Sequence, residues 1–245
     1  MASSGLFTVV EFFGAPAVGK TSLAKDLADH FRSQGITASD HFVLVGKMSR
    51  MRRIIYKIKS IFPILVTMPG LLVVVVEFIF KSGAKKPATV IRLLINWLFI
   101  IAQIHHEKQK YNTVILDQGI VQALWSTAFR GYSIKPDIVV KLTERILSEC
   151  GIGNLIVVNL TVGHKIHRKR LASRLKPGTS LKERDFSQLN NGRHVAEYVA
   201  EIFRQAQDKI SGSVLCSLIY FKGSGQSDAC LLFQKMKNHV SNDGV

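Results

Sequence analysis

"LFTVVEFFGAPAVGKTSLAKDL", residues 6–27, carries the reading of the chain. Leu6 to Phe13 form a short, nearly continuous apolar run rich in aromatic and β-branched residues, the composition of a central parallel strand covered on both faces. Beyond it, Leu23, Leu27 and Phe31 recur every fourth residue with Ala24 and Ala28 beside them, which predicts a helix packing one face on a sheet. Between the two, "GAPAVGKT" matches G-x-x-x-x-G-K-[ST] at Gly14, Gly19, Lys20 and Thr21. Glycines let a backbone curl until amide hydrogens converge on phosphate oxygens, and the positive end of the following helix adds to that field. The expected cradle runs along Gly14, Ala15, Pro16, Ala17, Val18, Gly19, Lys20, Thr21 and Ser22. Lys20 supplies a mobile charge for the β and γ phosphates, and the Thr21 hydroxyl is a hard oxygen ligand for Mg²⁺.

Further strands follow. "NTVILDQG" holds a β-type run, Val114 to Leu116, ending in Asp117; a carboxylate there serves Mg²⁺ or caps a helix beginning near Gly119, and the metal role is preferred. "NLIVVNLT" (154–161) and "VLCSLIYF" (214–221) read as buried strands, and a short second strand is expected near Ile36 to Ser39. A long helix is marked by Val195, Tyr198, Val199, Ile202, Phe203, Ala206 and Ile210, and a closing one by Ala229, Leu232, Phe233, Met236 and Val240. Strands alternating with helices imply an α/β fold, a doubly wound parallel sheet with ligands at the carboxyl ends of its strands.

Charge divides the 245 residues unevenly: the formal net charge of +16 is made of −1 for residues 1–46, +10 for 47–110, 0 for 111–162, +7 for 163–184 and 0 for 185–245. Two basic segments on a neutral scaffold suit the handling of anions. No RRM, KH, zinc-finger or helix-turn-helix pattern supports a specific nucleic-acid partner. Cys150, Cys216 and Cys230 lack ligand spacing and read as small buried apolar residues of a reducing compartment. "MASSGLFTVVEFFGAP" lacks a basic n-region, so the expected location is cytoplasmic.

These parts resemble the P-loop nucleoside and nucleotide kinases, particularly the thymidylate-kinase-like group. The resemblance rests on "VVEFFGAPAVGKTSLAKDL", "VILDQGIVQALW", "HRKRLASRL" with the R-x-x-x-R of Arg170 and Arg174, and "GSGQSDACLLFQKM". It implies one domain over residues 1–245: a five-stranded parallel sheet, a helical acceptor insertion at 47–110 and a basic LID at 163–184. It further implies ATP and Mg²⁺ as cofactors, with Thr21 and Asp117 at the metal and Lys20, Asp117, Arg170 and Arg174 as catalytic residues. Where thymidylate kinases have Asp-Arg-Tyr, this chain has Asp117-Gln118-Gly119, so the arginine that holds an acceptor phosphate is absent and the acceptor stays open between an anionic and a hydroxyl small molecule. Asp40 stands where nucleoside kinases carry a general base, a place equally suited to a turn aspartate. Lys165, Arg168, Lys169, Arg170 and Arg174, with Pro177-Gly178 as a turn, form either a flap over triphosphate or a solvated basic face. No N-K-x-D appears for guanine, and Gln118 replaces the glutamate that activates water in motor ATPases, so transfer to an acceptor is favoured over hydrolysis.

Residues 47–110 fit least well. From Ile61 to Phe80 only Glu77 is charged, about the length of a bilayer span, yet Pro63, Pro69 and Gly70 interrupt it. A spanning hairpin would carry "KSGAKK" across the membrane and leave Arg92 and Glu77 in lipid, which argues against it. Buried helices of the acceptor insertion are the first expectation; a basic, apolar helical pair that lies against anionic lipid or accommodates a lipid-linked acceptor is the second, and Glu77 reads as a satisfied core carboxylate in preference to an acceptor-side base. The expected function is an ATP- and Mg²⁺-dependent phosphotransferase. The alternative is a membrane-peripheral ATP-binding protein whose nucleotide state controls lipid or partner docking.

Overall fold

Strand β1 (Thr8–Phe13) alternates its side chains between two cores. Val10 and Phe12 enter one, while Val9 and Phe13 enter the other, so apolar residues are required at almost every position. The computed structural model describes residues 7–39, 49–130, 132–173, 183–210, 215–223 and 228–242. Around β1 lie β2 (Ala38–Ser39), β3 (Thr113–Leu116), β4 (Asn154–Thr161) and β5 (Leu215–Lys222), all parallel, in the spatial order β2-β3-β1-β4-β5. The register sets Thr8 beside both Thr113 and Asn154, which brings the carboxyl ends of β1, β3 and β4 to one edge.

Helices cover both faces of the sheet. On the Val10 and Phe12 face, α1 (Lys20–Ser33) packs through Leu23, Leu27 and Phe31, with Leu232, Phe233 and Met236 from the last helix. The periodicity that buries these residues turns Cys230 outward; Cys150 is buried as expected, Cys216 is half-buried and Cys230 is exposed. On the opposite face lies the larger core, built with α2 (Arg50–Thr67), α3 (Pro69–Lys81), α4 (Pro87–Lys108), α5 (Ile120–Ala128) and α6 (Pro136–Cys150). α7 (His164–Ala172), α8 (Glu183–Gln207) and α9 (Asp228–Asn242) complete the order. In α8, Val199, Phe203 and Ala206 are buried as the stripe predicts, while Tyr198 is largely exposed and its hydroxyl donates to the Ile134 carbonyl at 2.8 Å.

The insertion departs from a simple buried pair. Its first apolar stretch is two helices: Pro69 begins α3 at Met68, and the pair bends by 111° there. Glu77 is no core residue. It sits at the surface, where Lys81 and Lys141 donate to it at 2.7 and 2.6 Å and hold its carboxyl down to about 2. α4 is, among the described residues, the one helix long and apolar enough to cross a bilayer, and its Leu93, Trp97, Ile101 and Ile104 lie in the larger core.

Candidate functional site

The loop from Gly14 to Gly19 leaves the carboxyl end of β1 and turns directly into α1. Gly14 has φ 143°, and a side chain there would strike the Leu160 carbonyl on β4. Gly19, at φ 108°, starts α1, and its Cα lies so near Arg170 that a Cβ would come within 2.7 Å of the guanidinium. Ala17 is held at φ 66°, the sole positive φ of a non-glycine among the described residues, which costs an alanine about 1 kcal/mol. Strain kept at a loop between a strand and a helix marks a shape maintained by its surroundings.

Side chains gather around that loop from three elements. The Lys20 ammonium, at the first position of α1, donates to the Gly14 and Ala15 carbonyls at 2.7 and 3.0 Å, so it lies over the loop's own curl. The Thr21 hydroxyl donates to Asp117 Oδ2 at 2.8 Å, joining two residues 96 positions apart. Asp117 therefore faces the loop and does not cap α5, whose capping position is Gly119 with no side-chain bond. Burial pushes the Asp117 carboxyl up, against the Thr21 hydrogen bond and the Lys20 charge. From α7, Arg170 donates to the Val18 carbonyl at 2.5 Å. Lys20, Thr21, Asp117 and Arg170 are thus brought together at the loop, and Ser22 lines the cavity beside them. Arg174 and Asp40 lie outside the described residues.

Two contacts were not legible in the motifs. His167, one turn before Arg170, is buried with its Nε2 at 2.7 Å from the Pro16 carbonyl, and burial pushes its pKa down, so the neutral ring donates to the loop. A histidine within a run of lysines and arginines gives no signal of its own. Glu11 is the second. Inside β1 it points to the larger core, where the amides of Val121 and Gln122 donate to it at 3.0 and 2.7 Å at the amino end of α5. Burial raises its carboxyl to about 7, opposed by those amides and by Ile120 and Gly119. A Cβ at residue 119 would stand 2.6 Å from the Glu11 carboxyl, so the glycine of "DQG" is what allows the approach.

Cavities flank the cluster. One of about 300 Å³ lies along Ala17, Val18, Gly19, Asp26, Gly223 and Asp228, with Arg170 at its wall. A larger one, about 580 Å³, opens on the other side of Gln118, between α2, α4 and α5. Its walls hold Lys57, Arg92 and Arg130, the amides Asn96, Gln118 and Gln122, and the apolar Ile54, Ile91 and Ile95. Trp125 closes the inner end, stacked on Phe129 at 4.7 Å, with its Nε1 donating to the Gly192 carbonyl at 3.0 Å.

Among the described residues no group of three or more His, Cys, Asp or Glu side chains forms a metal cage. Thr21 and Asp117 offer instead two hard oxygens 2.8 Å apart, a partial set that suits Mg²⁺, which keeps several waters and takes phosphate oxygens as ligands. No protein-family model matches the chain, and no curated protein matches it in sequence.

Proposed function

We propose that the protein is an ATP- and Mg²⁺-dependent phosphotransferase of the P-loop nucleoside and nucleotide kinase type. The observation that carries this reading is the 2.8 Å bond between Thr21 and Asp117 beside Lys20, at the carboxyl edge of a parallel sheet. Chance glycine turns do not bring a strand-end carboxylate from 96 residues away onto the hydroxyl of the motif. The placement of the insertion between β2 and β3, and of the basic helix α7 after β4, also supports it.

In this reading the loop amides and the positive end of α1 receive the phosphates. Lys20 exchanges its bonds to Gly14 and Ala15 for β and γ phosphate oxygens, a small movement because it already lies over the loop. Thr21 and Asp117 would hold Mg²⁺, which neutralises charge on the phosphates. Arg170 stands at the wall of the 300 Å³ cavity, where its guanidinium can stabilise charge on the transferring group. His167 and Arg170 act on the loop as well, since both donate to its carbonyls and turn its amides toward the ligand. The 580 Å³ cavity is the acceptor site, because Gln118 lines it and Asp117 is its chain neighbour.

The test is ATP binding and turnover of the full chain with γ-labelled ATP and a panel of nucleosides, nucleoside monophosphates, sugars and amphiphiles. A labelled acceptor that disappears in Lys20→Ala and Thr21→Ala supports the assignment. A folded protein with no affinity for any nucleoside triphosphate and magnesium overturns it. The second reading, an ATP-binding protein whose nucleotide state controls docking, is favoured by the outward apolar side chains of α2, and it requires nucleotide-dependent docking with no labelled product.

A further inference from the structure

Helix α2 wears its amphipathicity the wrong way round for a core helix. Met51, Ile54, Ile55, Ile58, Phe62 and Val66 recur at helical spacing along one stripe, and all are exposed, Phe62 by 67% and Val66 by 68%. Ile61, on the flank of the stripe, and Ile64, toward its far side, are packed inward. Arg52 and Lys59 border the stripe, and the helix from Arg50 to Thr67 contains no acidic residue. Of the fifteen large apolar side chains exposed among the described residues, eleven lie between Met51 and Ile95. A concentration of this kind marks a docking face.

Charge selects what covers it. Segment 47–110 carries twelve Lys and Arg against two Glu. Two copies placed face to face would bring +10 against +10, whereas a bilayer containing anionic lipids offers the apolar depth for the stripe and the opposite charge for its borders. The same face leads into the large cavity. Ile54, Ile91 and Ile95 are at once exposed apolar residues and lining residues of the 580 Å³ space. Behind them stand Lys57, Arg92 and Arg130, and Gln122, whose side-chain oxygen is buried with no hydrogen-bond partner among the described residues. Among the described residues no Asp or Glu lines the cavity. A hydroxyl acceptor would need a base there to take its proton, whereas a phosphate monoester arrives already ionised and finds three cations.

We infer that α2 and the start of α4 dock on an anionic membrane and that the acceptor is a membrane-held amphiphile ending in a phosphate monoester. This rests on the phosphotransferase reading. A phosphate oxygen of the amphiphile forms the new bond to the γ phosphorus of ATP, the bond from that phosphorus to the β–γ bridging oxygen breaks, and ADP departs with the electron pair. The product is a diphosphate, and no proton has to be removed from the attacking oxygen. The tail remains between Ile54, Ile91, Ile95 and lipid while Arg92 and Arg130 hold the head group.

Two measurements on the full chain test this. The first is flotation with phosphatidylcholine vesicles, with and without phosphatidylserine, for the wild type and for Ile58→Glu with Phe62→Glu, each checked for fold by circular dichroism and for ATP binding without vesicles. Binding should need the anionic lipid and fall at least about tenfold in the double variant, while ATP binding is unchanged. Arg52→Glu should weaken vesicle binding by about fivefold or more. The second measurement supplies γ-labelled ATP with dodecyl phosphate, dodecanol or nucleoside monophosphates. Label should pass to dodecyl phosphate alone and be lost in Arg92→Ala and Arg130→Ala.

Absence of ATP binding defeats the phosphotransferase reading itself. Intact ATP binding without vesicle binding overturns the docking, as does a dimer in size-exclusion chromatography that the double variant breaks while vesicles are ignored. Label on a nucleoside monophosphate or on dodecanol overturns the acceptor class, and vesicle binding with no labelled amphiphile overturns the acceptor while leaving the docking.

Discussion

The glycine loop and helix α2 treat side chains in opposite ways. At the loop, polar groups from α1, α7 and the end of β3 are drawn inward around a short stretch of main chain with His167 buried there, and beside it Glu11 of β1 is buried against the amino end of α5. On α2, apolar groups are sent outward, with Ile58 exposed by 58% while Ile64, six residues on, is exposed by 1%. Burying polarity calls for partners on every atom, so the loop region is closely determined. Exposing apolar surface calls for something outside the chain, so α2 is determined by what it meets.

The contrast can be broken in graded steps. On the proposed phosphotransferase reading, Lys20→Ala should reduce phosphoryl transfer at least about a hundredfold, because it removes a preorganised charge from the reacting phosphates, with the circular dichroism spectrum unchanged; steady-state kinetics with labelled ATP reads it. Ile64→Ala should cost about 3 kcal/mol in urea unfolding, the cost of a cavity under α2. Glu11 gives an effect of comparable size that depends on pH. A carboxyl raised from 4.5 to about 7 in the native protein lowers stability as pH climbs through that interval, since the unfolded chain yields its proton first. The stability of the wild type relative to Glu11→Gln should therefore fall by about 3 kcal/mol between the lower and the upper value, measured by urea unfolding at each pH. Ala17→Gly should raise stability by about 1 kcal/mol in thermal unfolding, by relieving the left-handed alanine. Ile58→Ser should shift urea unfolding by less than about 0.5 kcal/mol, despite replacing a large apolar residue. A loss near that of Ile64→Ala would show that the stripe belongs to the fold.

Much of this was legible in the residues. The run at Leu6 to Phe13, the glycine motif and the fourfold repeat of Leu23, Leu27 and Phe31 are local signals, and β1, the loop and α1 follow them. Strands β3, β4 and β5 and the stripe of α8 follow theirs. The place of Asp117 at the end of β3, facing the glycine loop through Thr21, could be expected from the run that precedes it. Glu11 could not, since its partners lie 110 and 111 positions away and a lone acid in an apolar run does not name the helix that will meet it. The direction of the α2 stripe was hidden for a different reason. Periodicity shows that a helix has an apolar side; only the packing of Ile61 and Ile64 against α4 shows which side is left over.

The close fit of Gly119 against Glu11 constrains how this chain can change over generations. A tyrosine or any larger residue at 119 collides with the carboxyl while the acid is present, and loss of the acid alone strands two amides of α5. Either single step is costly, and the collision disappears only when the acid gives way to a smaller residue whose own oxygen takes up those amides. The two positions are therefore expected to drift as a pair, and descendants that keep the acid will keep the glycine.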